Sequence, residues 1–259
     1  MIELAISAAK EAGKILLENF GKIEQVDKKG ERELVSNVDL ASEKKIIDMI
    51  KSKYPDHDIL CEESGLQERA SDYRWIIDPM DGTHNYIYGI NMFGVSIALE
   101  YKGEIILGVI NLPYSNELYW AEKGKCAYFN DERIYVSKRG MKNALAIYDS
   151  GLYKETAHRT GFLANLVGKI FNIRVFGAST RHLTYVARGS ADLQIEYGDK
   201  PWDFAAGGLL VEEAGGKITQ LDGSKWNIYV ESYISSNGVF HDEIVDLYKN
   251  YAEQSLKDQ

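Results

Sequence analysis

The sequence predicts a layered α+β fold in a single domain spanning 1–259, with approximate αβ halves at 1–140 and 141–259. Three observations carry this. Apolar residues recur at helical spacing near both ends of the chain, strand-like runs follow one another between 92 and 137 at hairpin spacing, and no repeat period, linker or low-complexity tract interrupts them. With 259 residues, 45% of them hydrophobic, the chain is long enough to bury a large core.

In the first helix, Ile2, Ala5, Ile6, Ala9, Gly13, Leu16, Leu17 and Phe20 share one face, and Gly21 stops it. Charges at Glu3, Lys10, Glu11 and Lys14 argue against a signal peptide. Residues 21–34 are charged and glycine-punctuated, as suits an exposed loop or hairpin. Ser36 and Asp39 open a second helix, apolar at Ile46, Ile47, Met49 and Ile50 and halted by Pro55. Strands are expected at 58–61 and 75–78, then at 92–100, 104–112, 117–122, 126–130 and 133–137. A helix around 155–169, a strand near 171–176, a helix near 181–188 and a strand at 192–196 lead to a helix from Asp203 to Ala214. Gly215 and Gly216 cap that helix, and short strands precede a last helix at 241–251.

Composition narrows the function classes. Lys plus Arg is 30 against Asp plus Glu 39, a formal net charge of -9, so no nucleic-acid partner is expected. Cys61 and Cys126 form no CxxC pair, which disfavours a zinc site or a disulfide scaffold and fits free thiols in a reducing cytoplasm. No stretch is long and apolar enough to span a membrane. The phosphate loop GxxxxGK[ST], HExxH and GxSxG are absent, and the tyrosines, 17 in all, are spread along strands as packing residues.

Acidic residues mark element ends at Asp39, Glu62 with Glu63, Asp78 with Asp81, and Asp203. Any one of these clusters reads more simply as turn or capping chemistry, since Asp-Pro and Asp-Gly are ordinary turn pairs. The stretch WIIDPMDGTHNY (75–86) resists that reading. Pro79 holds Asp78 extended and ends the strand, Gly82 allows an unusual dihedral, and a short helix from Thr83 would offer the Gly82 and Thr83 amides to an anion. Carboxylates beside an anion seat repel it. At about 4 Å the cost is roughly 4 kcal/mol per charge pair at an effective dielectric of ~20. Divalent ions reverse the sign, oxygen ligands select Mg²⁺, Ca²⁺ or Mn²⁺, and the matching chemistry is in-line displacement at phosphorus.

WIIDPMDGTHNY, CEESG and PWDFAAG, in that order and spacing, resemble the signatures of the inositol monophosphatase family within the lithium-sensitive, metal-dependent sugar-phosphatase superfamily. Weaker similarity runs from about residue 1 to about 240. The resemblance implies an αβαβα sandwich of the sugar-phosphatase type, two or three Mg²⁺ ions with Mn²⁺ as the substitute, lithium sensitivity, a homodimer, and a small phosphorylated polyol or sugar as substrate. It implies one metal on Glu62, Asp78 and the Met80 carbonyl, a second on Asp78, Asp81 and Asp203, and a third leaning on Glu62. It places phosphate on the main chain at Gly82 and Thr83. It makes Thr83, Asp39 and Glu62 the catalytic group that orients and deprotonates water. Glu196, with Gly177, Ala178, Ser179 and Asp203, would meet the substrate, and Lys28 would approach the third metal.

Inositol 1-phosphate is the first substrate implied, and fructose 1,6-bisphosphate the strongest competitor. A 3′-phosphoadenosine nucleotide, histidinol phosphate and a partner-binding regulatory role on the same fold are the alternatives. The chain departs from the family pattern at Cys61 and Cys126, where glycine is usual, at Tyr86 for phenylalanine, and in GASTRHL (177–183). There Arg181 and His182 are read first as a salt-bridged or hydrogen-bonded helix start. A contact from Arg181 to a second phosphate is the other reading. His84 is read as solvated or beside the metal ligands, and Glu63 as beside them, rather than among them.

Overall fold

Helix α1 (Ile2–Asn19) buries Ala5, Ala8, Ala9, Ala12 and Leu16, a face of small side chains that lets it lie close against a sheet. The computed structural model describes residues 1–23, 25–28, 30 and 34–257. Strands β1 (Val26–Lys28) and β2 (Leu34–Ser36) pair antiparallel, so the charged early segment is a hairpin, and Lys28 lies on its exposed strand. Helix α2 (Asn37–Lys53) starts at a capping box between Ser36 and Asp39 and ends two residues before Pro55.

Next come β3 (Asp58–Cys61), β4 (Gly65–Gln67), β5 (Tyr73–Asp81), the short helix α3 (Thr83–Ile87), β6 (Gly94–Tyr101) and β7 (Glu104–Leu112). They are followed by β8 (Glu117–Glu122), β9 (Ala127–Phe129) and β10 (Glu132–Arg133). These strands form an eight-stranded sheet in the order β10-β9-β8-β7-β6-β5-β3-β4, antiparallel except where β3 runs parallel to β5. The second half supplies β11 (Leu145–Tyr148), α4 (Thr156–Leu166), β12 (Asn172–Arg174), α5 (Ser179–Ala187), β13 (Leu193–Tyr197) and α6 (Pro201–Glu213). It closes with β14 (Lys217–Gln220), β15 (Ser232–Ser236) and α7 (His241–Lys257), giving a five-stranded sheet in the order β12-β11-β13-β15-β14.

Three cores stack these elements into five layers. One joins α1 and α2 to a face of the large sheet through Ala8, Ile46, Trp75 and Ile97. The second packs α5 and α6 between the sheets through Ile76, Leu183, Phe204, Leu210 and Tyr233. The third seals α4 and α7 onto the outer face of the small sheet through Phe162, Leu193, Ile234 and Ile244. The result is an αβαβα sandwich. In the middle layer a Cβ on Gly207 would come within 2.4 Å of Leu183, so the glycine is what allows α5 and α6 to touch.

The structure corrects several sequence boundaries. Strand β5 does not end before Pro79. It runs on to Asp81 through an irregularity between Asp78 and Asp81, and pairing resumes at Asp81 against Gly94. A bulge is what a sheet uses to pass a residue that has no N–H to donate. Strand β10 ends at Arg133; the Ile134 N–H still reaches the Ala127 carbonyl of β9 at 3.0 Å, but the Val136 N–H goes to the Ala214 carbonyl at 3.1 Å. Helix α5 starts at Ser179 rather than 181, because Asp81, distant in sequence, accepts the N–H groups of Ser179 and Thr180. Strands β4 and β11 have three and four residues, too short for a periodic signal, and sequence reasoning missed both.

Candidate active site

The end of β5 and the start of α3 form one rigid piece. Gly82 caps α3 with φ 81°, a left-handed conformation, and a Cβ there would sit 2.6 Å from the Met92 carbonyl oxygen. Asp78 Oδ1 accepts the Met80 N–H at 2.9 Å, and Ser42 of α2 donates to the Pro79 carbonyl at 2.8 Å. Asn85 Nδ2 donates to the carbonyls of Met92 at 3.0 Å and Phe176 at 2.8 Å, which ties the turn to the loop carrying Gly177. The carboxylates therefore hang from backbone that cannot spread.

Asp78, Asp81 and Asp203 come from two distant stretches of the chain, yet one oxygen of each lies within 4.8 Å of the others. Each does local work as well. Asp203 accepts the Lys200 N–H at 2.7 Å at the start of α6, and Asp81 holds the first turn of α5 through Thr180 N at 2.8 Å. Capping and convergence are both present, so the simpler turn-and-cap reading is correct for these residues but incomplete.

Burial raises the Asp78 carboxyl well above the usual range, with the charges of Glu62, Asp81 and Asp203 adding to it. Asp203 is raised well by burial and then by Asp199. Asp81 is raised by burial and partly relieved by the Thr180 hydrogen bonds. Three converging acids, two of them buried and one partly buried, each with raised proton affinity and offering oxygen donors alone, fit a hard divalent cation.

Glu62 follows β3, its N–H on the Ile77 carbonyl at 3.2 Å and its side chain hydrogen-bonded to Asp78. Thr83 Oγ1 lies 3.1 Å from Asp39 Oδ1 and 2.9 Å from the Met80 carbonyl, so the expected Thr83–Asp39 pair is formed. Asp39 is fully buried, its carboxyl raised by that burial and held by Ser36. Glu62, Gly82, Thr83 and Gly177 line one cavity of about 770 Å³. Glu62 and Asp203 line an adjoining one of about 630 Å³. Ala178 and Ser179 are buried behind the loop.

Glu196 lines neither of these two cavities. It is 3% exposed, and its Oε2 lies 3.1 Å from His182 Nδ1 and 3.0 Å from Gln194 Nε2. Arg181 pairs with Glu117 at 2.8 Å and with Ser115 Oγ at 2.9 Å, the salt-bridged helix start read first for it. His182 is fully buried, and burial lowers its pKa to about 4, so it is neutral at pH 7. His84 is exposed at the cavity rim, and the Glu63 N–H is bound to Glu43 at 2.9 Å.

Sequence reasoning missed a whole wall of the site. The loop after β11 brings Asp149, Ser150 and Lys154, α4 brings Arg159, and the turn after β13 brings Asp199. The one local signal was the Asp-Ser-Gly turn at 149–151 following an apolar run.

Comparison with known proteins agrees with this geometry. A family model described as "Inositol monophosphatase family" matches residues 1–253. The chain is 39% identical over 262 aligned positions to a fructose-1,6-bisphosphatase/inositol-1-monophosphatase of Aquifex aeolicus, covering 98% of this chain and 97% of that one. It is 37% identical to the Nus factor SuhB of Escherichia coli, covering 92% and 91%. The solved structure of an IMPase from Thermotoga maritima superposes with a TM-score of 0.90 at 33% identity, covering 98% of both chains. Whole-length sequence similarity, a shared sandwich and an acidic cluster at the same signatures lead to one conclusion: the chain belongs to the inositol monophosphatase family of metal-dependent phosphatases.

Proposed function

We propose that this protein hydrolyses the phosphate monoester of a small polyol or sugar with Mg²⁺, inositol 1-phosphate first among its substrates. The observation that carries this reading is the convergence of Asp78, Asp81 and Asp203 within 4.8 Å, the first two on the same rigid turn as Gly82 and Thr83. Glu62, Asp78, the Met80 carbonyl, Asp81 and Asp203 would hold two Mg²⁺ ions, with a third at Glu62 and Mn²⁺ as a substitute. Such ions supply Lewis acidity that lowers the pKa of water and stabilises a leaving oxygen. The chain's own part is positional. The amides of Gly82 and Thr83 hold phosphate oxygens, and the Thr83 hydroxyl, polarised by Asp39 at 3.1 Å, orients the attacking water together with Glu62. Inhibition by lithium, a cytoplasmic location and a homodimer belong to the same reading.

Phosphate release from inositol 1-phosphate and fructose 1,6-bisphosphate, each with Mg²⁺ and with a chelator, tests it. Release above the chelated control is expected, and none from either substrate would overturn the proposal. A docking role on a protein partner is a second reading, favoured by the 37% identity to the Nus factor SuhB of Escherichia coli. It gains if Asp203→Asn abolishes turnover and leaves the phenotype of a deletion strain complemented.

A further inference from the structure

Strand β13 points Gln194 and Glu196 toward the α5 side of the small sheet, because alternate residues share a face and Leu193, Ile195 and Tyr197 fill the outer core. There they meet His182, which is fully buried. Its Nδ1 lies 3.1 Å from Glu196 Oε2, and its Nε2 is buried with no partner. The neutral ring carries one N–H. On Nε2 it would be an orphaned buried donor, which folded proteins avoid more strictly than an unpaired acceptor, so it sits on Nδ1 and donates to Glu196.

The remaining roles follow in turn. Gln194 Nε2 has two hydrogens and two acceptors, Glu196 Oε2 at 3.0 Å and the Tyr233 hydroxyl at 3.0 Å, which fixes the orientation of its amide. The Tyr233 hydroxyl, accepting there, donates to Asp199 Oδ2 at 2.9 Å. Burial raises the Glu196 carboxyl well above the usual range, and its side chain is hydrogen-bonded to Asp149. Glu196 thus joins Asp149 directly and Asp199 through Gln194 and Tyr233. Both of those acids line the 770 Å³ cavity with Gly82 and Thr83, whereas His182 does not.

We propose that His182 is a positioning residue for specificity: its Nδ1–H fixes Glu196, and through Glu196 it aims the Asp149 and Asp199 carboxylates at the hydroxyl groups of the substrate. This rests on the reading that a phosphate monoester binds with its phosphate at Gly82 and Thr83. A site built to hydrogen-bond a hydroxyl discriminates sharply against a compound that lacks it, because its acceptors are then left unpaired. Hydrogen bonds in such a chain also polarise one another, so losing the first weakens the aim of the last.

The test compares kcat/KM for inositol 1-phosphate with that for nitrophenyl phosphate, which has no hydroxyl group, in the wild type, His182→Leu and His182→Asn. His182→Leu removes the donor, and the ratio of the two values falls about tenfold, mainly through KM for inositol 1-phosphate. His182→Asn carries an amide N–H where Nδ1 stood and keeps the ratio within about twofold of wild type. Equal losses on both substrates, or an asparagine that fares no better than leucine, overturn the proposal, since a merely structural role would give the same. Where His182→Leu does not fold, Tyr233→Phe keeps the ring and breaks the chain to Asp199. The ratio then falls about fivefold, and an unchanged ratio refutes the positioning role. Should the wild type hydrolyse neither compound, the monoesterase reading falls by itself. Calorimetric titration of inositol 1-phosphate into the Mg²⁺-loaded protein then decides: binding weakened in His182→Leu and kept in His182→Asn supports the role of His182, and equal or absent binding refutes it.

Discussion

Replacing Asp78 by asparagine should make the protein more stable without metal and less stable with it. Oxygens of Asp78, Asp81 and Asp203 lie within 4.8 Å of one another, a separation at which two ionised groups repel by about 3.5 kcal/mol at an effective dielectric of ~20. Asp78 also faces Glu62, so it carries the largest share. Protonation caps the cost in the metal-free protein, which leaves a gain of about 2 kcal/mol for Asp78→Asn, or ~4–8 °C in Tm for a chain of this size. The asparagine keeps Oδ1 for the Met80 N–H at 2.9 Å, so the turn itself is preserved.

Saturating Mg²⁺ reverses the order. Each ion at about 100 times its Kd adds ~2.7 kcal/mol to the wild type, and the variant has lost the carboxylate proposed to bridge two of them. Scanning calorimetry of both proteins, with chelator and with excess Mg²⁺ at mildly alkaline pH, reads the two signs directly. If Asp78→Asn melts below wild type in chelator, or if both gain equally from Mg²⁺, the account of acids held against their own repulsion is wrong.

Other predictions follow from the same geometry. Asp78 and Asp203 hold protons in the folded state that the unfolded chain releases, so metal-free stability should fall as pH rises above the ordinary carboxylate range, and excess Mg²⁺ should flatten that fall. A chelated Tm that rises with pH there contradicts it. Gly82→Ala places a Cβ 2.6 Å from the Met92 carbonyl in a left-handed backbone, and should cost about 2–4 kcal/mol in urea unfolding and remove phosphate release. A cost below ~0.5 kcal/mol would show the turn to be adaptable. Cys126 has φ 72° and is only partly buried, so Cys126→Gly should raise Tm by about 2–4 °C, a relief of ~1 kcal/mol. An unchanged or lower Tm would mean that the thiol's packing outweighs the strain.

That cysteine also shows how far a sequence reads. Cys126 stood out as a departure from a usual glycine, and the structure shows why glycine is usual there. The capping box at Ser36 and Asp39, the left-handed Gly82 and the short helix from Thr83 were equally legible, because caps and turns are decided by side chains within four residues of the backbone they serve. Pro79 was legible only in part. Its missing N–H could be read locally, but whether a strand stops there or bulges past it depends on β6 lying alongside.

By itself, then, the sequence determined a layered fold, the ligand chemistry of oxygen donors and the rigid turn that presents them, all of them short-range consequences of residue type and order. Tertiary structure alone decided that Asp203 meets Asp78 and Asp81, that Glu196 turns inward to His182 while Arg181 is taken by Glu117, and that Lys154 and Arg159 stand in the cavity wall. Those outcomes depend on how two sheets pack across α5 and α6. Such packing sums many weak contacts between residues far apart in the chain, and no local pattern encodes its result.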